Sequence, residues 1–137
     1  MNLCSVILVL LLSFYNNSTL YTAEGKATYY ADRFQGQRTT SGERYDKKLL
    51  TAAHVTLPFN TLVQVTNLKN GKSVIVRIND RKARSRTNII DLSRAAAEEI
   101  DLIRAGVAPV KLQEVRKDDL EQQETPLAVS KAESSSK

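Results

Sequence analysis

The chain has few of the residue types that cross-link proteins or hold metal ions: one cysteine and one histidine among 137 residues. Cys4 precedes the only strongly apolar run, so a chain processed after that run would contain no cysteine. Disulfide bonds and a thiol nucleophile are then excluded. A single histidine without cysteine is a poor ligand set for zinc, and neither a metal site nor a cofactor is expected.

Positive charge is missing near the N-terminus, where no lysine or arginine precedes Lys26. The apolar run there extends from Val6 to Leu12 and is shorter than the roughly 20 residues that a membrane-spanning helix needs. We interpret residues 1–23 as a signal peptide, with cleavage after Ser18 or after Ala23. Cys4 lies on the wrong side of the run for a lipoprotein anchor. The sequence thus predicts a periplasmic or secreted protein without stable membrane insertion after cleavage.

The length and the uneven charge indicate one basic domain followed by a short tail. With 42% of its residues apolar, the chain has room for one core. Residues 24–116 carry 17 Lys+Arg against 10 Asp+Glu, whereas residues 117–137 carry 3 against 5. A basic surface favours polyanions such as nucleic acid, anionic lipid or a wall polymer bearing carboxylates, and it also serves simply to keep a protein soluble.

Alternation of apolar and polar residues predicts a protein built mainly of strands. The clearest pair flanks Asn70-Gly71, a dipeptide typical of hairpin turns. Ser93 is a candidate N-cap for a helix, and Gly106 can end its last turn. Residues 32–48 are expected to form loops, and the polar residues 117–137 are expected to be disordered. The predicted strands are 26–30, 62–67, 73–78, 89–92 and 109–115, and the predicted helix is 94–103.

Four segments, in this order and at this spacing, resemble one known family. The chain is similar to the rare lipoprotein A family over roughly residues 25–115. The resemblance implies a mainly β fold, a six-stranded double-psi β-barrel with one or two short helices, occupying residues 24–116. The four segments are Ala27-Thr28-Tyr29-Tyr30, the stretch from Thr39 to Asp46, the stretch from Leu50 to Phe59, and Val76-Arg77-Ile78-Asn79-Asp80-Arg81 with Ile90-Asp91-Leu92-Ser93 after it.

The same resemblance implies an endolytic lytic transglycosylase. Such an enzyme cleaves the bond between N-acetylmuramic acid and N-acetylglucosamine in peptide-poor peptidoglycan strands and leaves 1,6-anhydro ends. The family's catalytic residues fall on Glu43, His54 and Asp80. Glycoside cleavage needs an acid that protonates the leaving oxygen, and the substrate's own 6-hydroxyl serves as the nucleophile, so one protonatable carboxyl suffices. We assign Asp80 as the general acid, with Glu43 and His54 orienting the substrate or tuning the proton.

Four residues are expected to bind the substrate: Tyr29, Tyr30, Asn79 and Arg81. Aromatic rings stack on sugar faces, and Asn79 and Arg81 adjoin the assigned acid. Without the resemblance, ordinary structural explanations apply, because an aspartate after a strand commonly forms a turn and a lone histidine is commonly packed in the core.

The charges around Asp80 bear on its assigned role. Arg77, Arg81 and Lys82 are close in sequence and would lower a carboxyl pKa, which opposes an acid near neutral pH, whereas burial would raise it. Asp91 lies between two apolar residues and is expected to brace the helix start at Ser93, so it is left out of the site.

Two departures from the family lie beside the expected site. Tyr29-Tyr30-Ala31 stands where members usually have Trp-Tyr-Gly, so a flexible glycine is lost. Lys82-Ala83-Arg84 stands where members usually have Gly-Pro-Phe or Gly-Pro-Tyr, so a stiff aromatic loop becomes a basic one. These changes bear on substrate preference and on activity.

Two further functions stay open from the sequence. The first is a non-catalytic wall-glycan-binding module like the expansins, which share this barrel. The second is a polyanion-binding barrel that uses Arg81, Lys82, Arg84 and Arg86 and loses affinity steeply with salt. Export argues against nucleic acid as the partner. The expected partner is therefore the peptidoglycan glycan strand, and the expected form is a monomer.

Overall fold

The computed structural model describes residues 19–123, and within them it forms six strands and two short helices. A 3-10 turn covers Asp32–Phe34. The strands are β1 (Thr22–Tyr29), β2 (Thr51–His54), β3 (Leu62–Asn67), β4 (Ser73–Asp80), β5 (Asn88–Leu92) and β6 (Ala108–Val115), and the helices are α1 (Arg94–Glu99) and α2 (Lys117–Gln123).

The six strands close into a barrel in the order β1-β5-β2-β4-β3-β6, and β6 returns to β1. β1 pairs in parallel with β5, and β2 pairs in parallel with β4, whereas the remaining neighbours are antiparallel. Closure leaves no sheet edge unpaired. The expectation of a mainly β, six-stranded double-psi barrel with one or two short helices is confirmed.

Alternate side chains along the strands fill the barrel. In β3 and β4 the inward residues are fully or almost fully buried, and the residues between them are more exposed. α1 packs against β4 and β1 and buries Ala96 and Ala97 completely. Burial of this apolar surface is the main force that holds such a barrel together.

The structure confirms the predicted hairpin and helix cap and corrects some boundaries. Val65 of β3 lies opposite Val74 of β4, and Gly71 in the turn has a φ of +74°. Ser93 caps α1, its Oγ accepting from the backbone N–H of Ala96 at 3.3 Å. α1 ends at Glu99 and not at residue 103, because Asp101 takes a φ of +53° that a right-handed helix cannot continue.

β2 is the strand that the sequence pattern does not predict. All four of its residues are buried, so no apolar-polar alternation marks it. Small alanines at its centre let β4 and β5 pack on either side, since Ala53 pairs with both strands.

The two ends of the described chain bear on the predicted domain boundaries. β1 begins at Thr22, and Thr22 and Ala23 pair with Gln113 and Leu112 of β6, so two residues of the predicted 1–23 signal peptide belong to the barrel. Residues 1–18, which include the apolar run, lie outside the described residues.

At the other end, α2 occupies part of the segment expected to be disordered. Asp118 and Asp119 lie in its first turn, where negative charge stabilises a helix. Residues 124–137 of the predicted tail lie outside the described residues. Between residues 19 and 123, no helix has the length and apolarity needed to cross a membrane.

Candidate active site

A β-bulge at the end of β4 turns Asp80 toward the outer face of the barrel. Ala52 pairs with Ile78 and both lie in the core, but the next residue, Ala53, pairs with Asp80 and not with Asn79. The extra residue therefore shifts the alternation, and Asp80 comes out on the side opposite to Ile78 although it lies two positions further on. Bulges of this kind commonly re-aim a side chain beside a functional site.

The Asp80 carboxylate is held by three donors. The Tyr30 hydroxyl donates to Oδ2 at 2.5 Å, and the backbone N–H groups of Thr40 and Arg81 both donate to Oδ1 at 2.8 Å. Burial acts to raise the pKa of Asp80, but the hydrogen bonds from Tyr30, Thr40 and Arg81 outweigh it and hold that pKa below the ordinary value for aspartate. Asp80 is therefore ionised at neutral pH when the site holds no substrate.

Asp80 faces a surface depression of about 220 Å³, which we call the Asp80 hollow. Tyr30 and Tyr45 meet in a T-shaped contact with ring centroids 4.6 Å apart, and Phe34 lies 5.9 Å from Tyr30. Burial raises the pKa of the Tyr30 hydroxyl far above its usual range, and Asp80 raises it further, so this hydroxyl keeps its proton. The lining residues are Tyr30, Phe34, Gln37, Arg38, Thr39, Tyr45 and Asp80.

Glu43 lies on the loop that also supplies Thr40 to Asp80. Both of its oxygens accept from the Arg77 guanidinium, at 2.7 and 2.9 Å, and Oε2 also accepts from Asn79 Nδ2 at 3.1 Å. The bonds from Arg77, and then from Asn79, lower the pKa of Glu43, which is therefore a fixed carboxylate. Glu43 is thus linked to Asp80 through Asn79 and through the loop of Thr40, although it does not line the Asp80 hollow and no direct contact joins the two side chains.

Asn79 ties Glu43 to the barrel wall. Its side chain is only 3% exposed, and its Oδ1 is buried without a hydrogen-bond donor from the part of the chain that is described. A buried acceptor without a donor costs free energy, so this amide is held beside the bulge at a cost to stability. Because Asn79 is buried, it can position Glu43 but cannot contact a ligand directly.

His54, the third expected catalytic residue, points away from Asp80. It follows Ala53 in β2, so its side chain lies on the opposite face, and it pairs with the core residue Ile90. Its ring borders a separate depression that shares no lining residue with the Asp80 hollow. Of the three expected catalytic residues, only Asp80 lines the Asp80 hollow; Glu43 is linked to it through Asn79 and the loop of Thr40, and His54 lines a separate depression.

The hydrogen bonds of His54 fix its tautomer. Nδ1 accepts from the backbone N–H groups of Thr56 at 3.1 Å and Leu57 at 3.0 Å, so the proton of the neutral ring is on Nε2, which lies 3.2 Å from the Tyr21 hydroxyl. Burial lowers the pKa of His54, and the charges of Arg81 and Lys82 lower it further. His54 is therefore neutral above the ordinary histidine pKa.

Tyr29, Tyr30 and Arg81, which were also expected to bind substrate, lie in different surroundings. Tyr29 and Tyr30 are neighbours with different surroundings: the Tyr29 hydroxyl donates to the Ile103 carbonyl at 3.2 Å and its ring packs against the core, so only Tyr30 lines the Asp80 hollow. The Arg81 guanidinium lies 4.2 Å from the centre of the Phe59 ring, and its Nη1 is 3.4 Å from the His54 carbonyl.

Asp91 does not brace the helix start, contrary to the sequence-based expectation. Its Oδ1 accepts from the Thr28 hydroxyl at 2.5 Å and from Asn88 Nδ2 at 3.0 Å, whereas α1 is capped by Ser93. Ala53 pairs with Asp80 on one side and with Asp91 on the other, so both carboxylates lie on the same outer face. The Ile90-Asp91-Leu92 pattern contained this signal, since both apolar neighbours are buried and the residue between them must face outward.

Five residues of the hollow were not predicted as site residues: Phe34, Gln37, Arg38, Thr39 and Tyr45. Thr39 and Tyr45 lie inside a segment of the family resemblance, which was a usable signal, whereas the other three lie in the 3-10 turn and the loop after it, whose placement depends on the barrel. Between residues 19 and 123, no group of three His, Cys, Asp or Glu side chains is arranged to hold a metal ion.

The fold and the site define a class of protein: closed double-psi barrels that hold a carboxylate beside aromatic rings. Residues 22–112 match a family described as "Lytic transglycolase". The chain therefore belongs to the lytic transglycolase family, with an RlpA-like double-psi β-barrel, as the resemblance implied.

Among characterised relatives, the endolytic peptidoglycan transglycosylase RlpA of Neisseria meningitidis is 48% identical over 100 residues. The match covers 73% of this chain and 42% of that relative, so the chain spans about two fifths of the length of that protein.

Two solved structures share the fold with less sequence similarity. A Streptomyces papain inhibitor superposes with a TM-score of 0.57 at 25% identity, over 70% of this chain and 96% of its own. An apo expansin of Clavibacter michiganensis also gives a TM-score of 0.57 at 21% identity, over 71% of this chain and 52% of its own. An inhibitor and an expansin thus share this barrel, so function must be argued from the site and not from the fold.

Proposed function

We propose that this protein is an endolytic lytic transglycosylase that cleaves peptide-poor peptidoglycan strands between N-acetylmuramic acid and N-acetylglucosamine, leaving 1,6-anhydro ends. Asp80 is its catalytic carboxyl. The observation that carries the proposal is the Asp80 hollow, in which a carboxylate with three donors lies beside three aromatic rings. Aromatic faces bind sugar rings, and the family membership supplies the reaction class.

The proposed acid role needs a proton that Asp80 lacks in the free protein. Burial already acts to raise its pKa, and a glycan that covers the hollow excludes more water and strengthens that effect. A sugar hydroxyl that accepts the hydrogen bond from Tyr30 in place of Asp80 would also remove one of the bonds that stabilise the carboxylate. Substrate binding thus moves Asp80 toward the protonated state in which it can donate to the leaving oxygen.

Glu43 has a positioning role in this proposal. Its two-pronged pairing with Arg77 and its bond from Asn79 hold the end of β4 and the loop that delivers Thr40 to Asp80. Because Glu43 is a fixed carboxylate, it also neutralises the Arg77 guanidinium, whose positive charge would otherwise oppose the positive charge of an oxocarbenium-like transition state.

Purified protein incubated with peptide-free glycan strands tests the proposal, with anhydro ends counted by mass spectrometry. We expect Asp80→Asn to reduce their formation by about 100-fold or more, the usual contribution of a general acid. Asp101→Asn is the matched control, because Asp101 pairs with Lys72 on the surface and does not line the hollow. Equal product from wild type and Asp80→Asn would remove Asp80 from the mechanism.

The lowered pKa values of Asp80 and Glu43 favour a second candidate, a wall-glycan-binding module of the expansin type that cuts nothing. Binding by charge and stacking needs ionised carboxylates and no proton donor. In that case the protein would sediment with purified sacculi while no soluble fragment is released, and Asp80→Asn would weaken sedimentation instead of abolishing a product.

We also propose export to the periplasm or beyond and action as a monomer. Cleavage after Ser18 leaves β1 whole, whereas cleavage after Ala23 removes Thr22 and Ala23 from their pairing with β6. The intact mass of the protein recovered from the periplasm or medium distinguishes the two sites, and light scattering on the same sample measures the oligomeric state.

A further inference from the structure

The depression around His54, which we call the His54 hollow, has no part in the function proposed above. It has a volume of about 190 Å³ and lies across Arg81 from the Asp80 hollow. It contains no acidic residue. Its lining residues are Tyr21, His54, Val55, Thr56, Arg84, Ser85, Asn88 and Ile89.

Two hydroxyl groups in this hollow have protons left to donate. Because His54 holds its proton on Nε2, the Tyr21 oxygen accepts that bond, and the Tyr21 hydroxyl proton is not used. Ser85 Oγ accepts from the backbone N–H groups of Thr87 at 3.4 Å and Asn88 at 3.2 Å, so its hydroxyl proton is also unused. Both groups offer a donor to a ligand that can only accept.

The charged side chain that lines the hollow is a cation. No carboxylate of residues 19–123 lies within 4.0 Å of the Arg84 guanidinium. Lys82 Nζ is held nearby by the carbonyls of Ala83 and Asn88, at 3.0 and 2.9 Å, and both Lys82 and Arg81 act on His54 through their charge.

Two carboxylates adjoin the hollow without lining it, and both already accept from residues of its wall. Glu114 accepts from the Tyr21 backbone N–H at 3.0 Å, and Asp91 accepts from Asn88 Nδ2 at 3.0 Å. Unused hydroxyl donors, cations without a carboxylate partner and a lining without acid together match an anion.

We propose that the His54 hollow binds a carboxylate of the glycan strand. This inference rests on the function proposed above, under which the strand has lost its peptides and each muramic acid carries a free lactyl carboxylate. Arg81 donates from its backbone N–H to the Asp80 carboxylate and from Nη1 to the His54 carbonyl, so it connects the walls of the two hollows, and in this proposal the strand runs over Arg81 from one to the other. The hollow thereby selects peptide-free strands, since a peptide would convert the lactyl carboxylate into an amide.

The chain contains one histidine, so nitrogen-15 NMR of tag-free protein gives one imidazole whose signals report on this hollow without assignment. The Asp80→Asn variant is used so that the ligand is not cut. Three short glycan fragments of equal length are titrated: one with free lactyl carboxylates, one with those groups reduced to alcohols, and one that carries peptides. We expect the imidazole signals to shift, and the imidazole to become easier to protonate, with the first fragment only.

An equal response to the reduced fragment, or no response to the free one, would overturn the inference. An equal response to the peptide-bearing fragment would assign the carboxylate to the peptide and overturn selection for peptide-free strands. Because this readout needs no cleavage, it separates the two proposals. An imidazole response without anhydro products from the wild type would refute the enzymatic activity and support the carboxylate site. Anhydro products without an imidazole response would support the activity and refute the carboxylate site.

Two arginines of the same loop provide a matched pair of variants. Arg84 lines the His54 hollow, whereas Arg86 lines a different depression. We expect Arg84→Gln to weaken binding of the free-carboxylate fragment about tenfold, as for loss of one charge-assisted hydrogen bond, and Arg86→Gln to change it less than about twofold. Equal losses from both variants would mean that only general positive charge attracts the strand.

Discussion

The Asp80 hollow and the His54 hollow lie on either side of Arg81 and differ in almost every physical respect. The first has a carboxylate that accepts hydrogen bonds from Tyr30, Thr40 and Arg81, and aromatic rings line the hollow beside it. The second has cations and hydroxyl donors and no acid. One hollow is therefore suited to hold a sugar face next to a carboxyl, and the other to hold a negative group.

The difference arises from strand geometry. Ala53 and His54 are consecutive in β2 and must face opposite sides, whereas the bulge at Asn79 brings Asp80 to the side of Ala53. Two residues that the family resemblance joins in one site thus serve two depressions. Variants that affect one hollow and leave the other unchanged test this division.

The largest expected effect on stability is that of His54→Ala. It leaves the backbone N–H groups of Thr56 and Leu57 without their acceptor. The buried Leu57 donor costs about 1–3 kcal/mol, and the loss of the partly buried Thr56 bond and of the packing of the ring adds to it, so the free energy of unfolding should fall by about 2–4 kcal/mol. His54→Asn is the control, because its side-chain oxygen can replace Nδ1 as acceptor. Urea denaturation measures both, and equal losses would show that these two bonds do not matter.

Gly25→Ala should be the next in size and acts on the wall of the His54 hollow through Ile89, whereas Gly25 itself lines the depression that contains Arg86. A Cβ on Gly25 would lie 2.7 Å from Ile89 Cγ2, so Ile89 has to move, and such overpacking costs about 1–3 kcal/mol. Adding Ile89→Ala removes the atoms that clash, and a double-mutant cycle should then show strong coupling. Independent, additive losses would contradict the clash.

The pH dependence of stability should reveal His54 separately from the carboxylates. Its folded-state pKa is lowered, so the neutral form is favoured by folding; this stability is present above the ordinary pKa of histidine and is lost as the pH falls below it. One proton allows a slope of at most about 1.4 kcal/mol per pH unit. Denaturation at several pH values between about 7 and 5 measures the slope.

His54→Asn should remove this slope, because the chain has no other histidine. The folded-state pKa values of Asp80 and Glu43 are also lowered. Below that window, the stability that these two carboxylates contribute is lost as the pH falls toward and through those values. A slope that persists between pH 7 and 5 in the variant would assign the proton to another group.

Tyr30→Phe sharpens the role of Asp80, because it removes a bond that lowers the Asp80 pKa and so raises that pKa. If Asp80 is the acid, activity falls as the pH rises through its pKa, and the variant should move this falling limb to higher pH, increasing activity there a few-fold. If Asp80 must be ionised, the rising limb moves to higher pH and activity at low pH drops. The pH profile of kcat/KM for anhydro-end formation decides between these signs, because it reports the free protein, in which Tyr30 still donates to Asp80.

The sequence predicted those parts of the fold that depend on neighbouring residues. The hairpin of β3 and β4 follows from local alternation around Asn70-Gly71, and the cap of α1 follows from Ser93 itself. β2 could not be predicted in this way, since its four buried residues carry no period and its place depends on pairing with β4 and β5.

The site was predicted less completely, for the same reason. Asp80 and Glu43 could be named, but the face that Asp80 takes depends on a bulge whose existence only the pairing with β2 reveals. Tyr29 and Tyr30 were both expected to bind substrate, although consecutive residues at a strand end face opposite ways, and only Tyr30 lines the hollow. Asp91 was misread because its partners Thr28 and Asn88 come from outside the helix that it precedes.

The smallest expected effect on stability is that of Glu43→Gln, although Glu43 lies on the loop that supplies Thr40 to Asp80. Its side chain is 44% exposed, so losing the charge of its pair with Arg77 should change the free energy of unfolding by less than about 1 kcal/mol. Activity should fall more than stability, because the charge that neutralises Arg77 is lost while the amide can keep the loop in place. Denaturation and anhydro-end formation measured on one preparation compare the two, and a loss of stability that matches the loss of activity would reduce Glu43 to a structural residue.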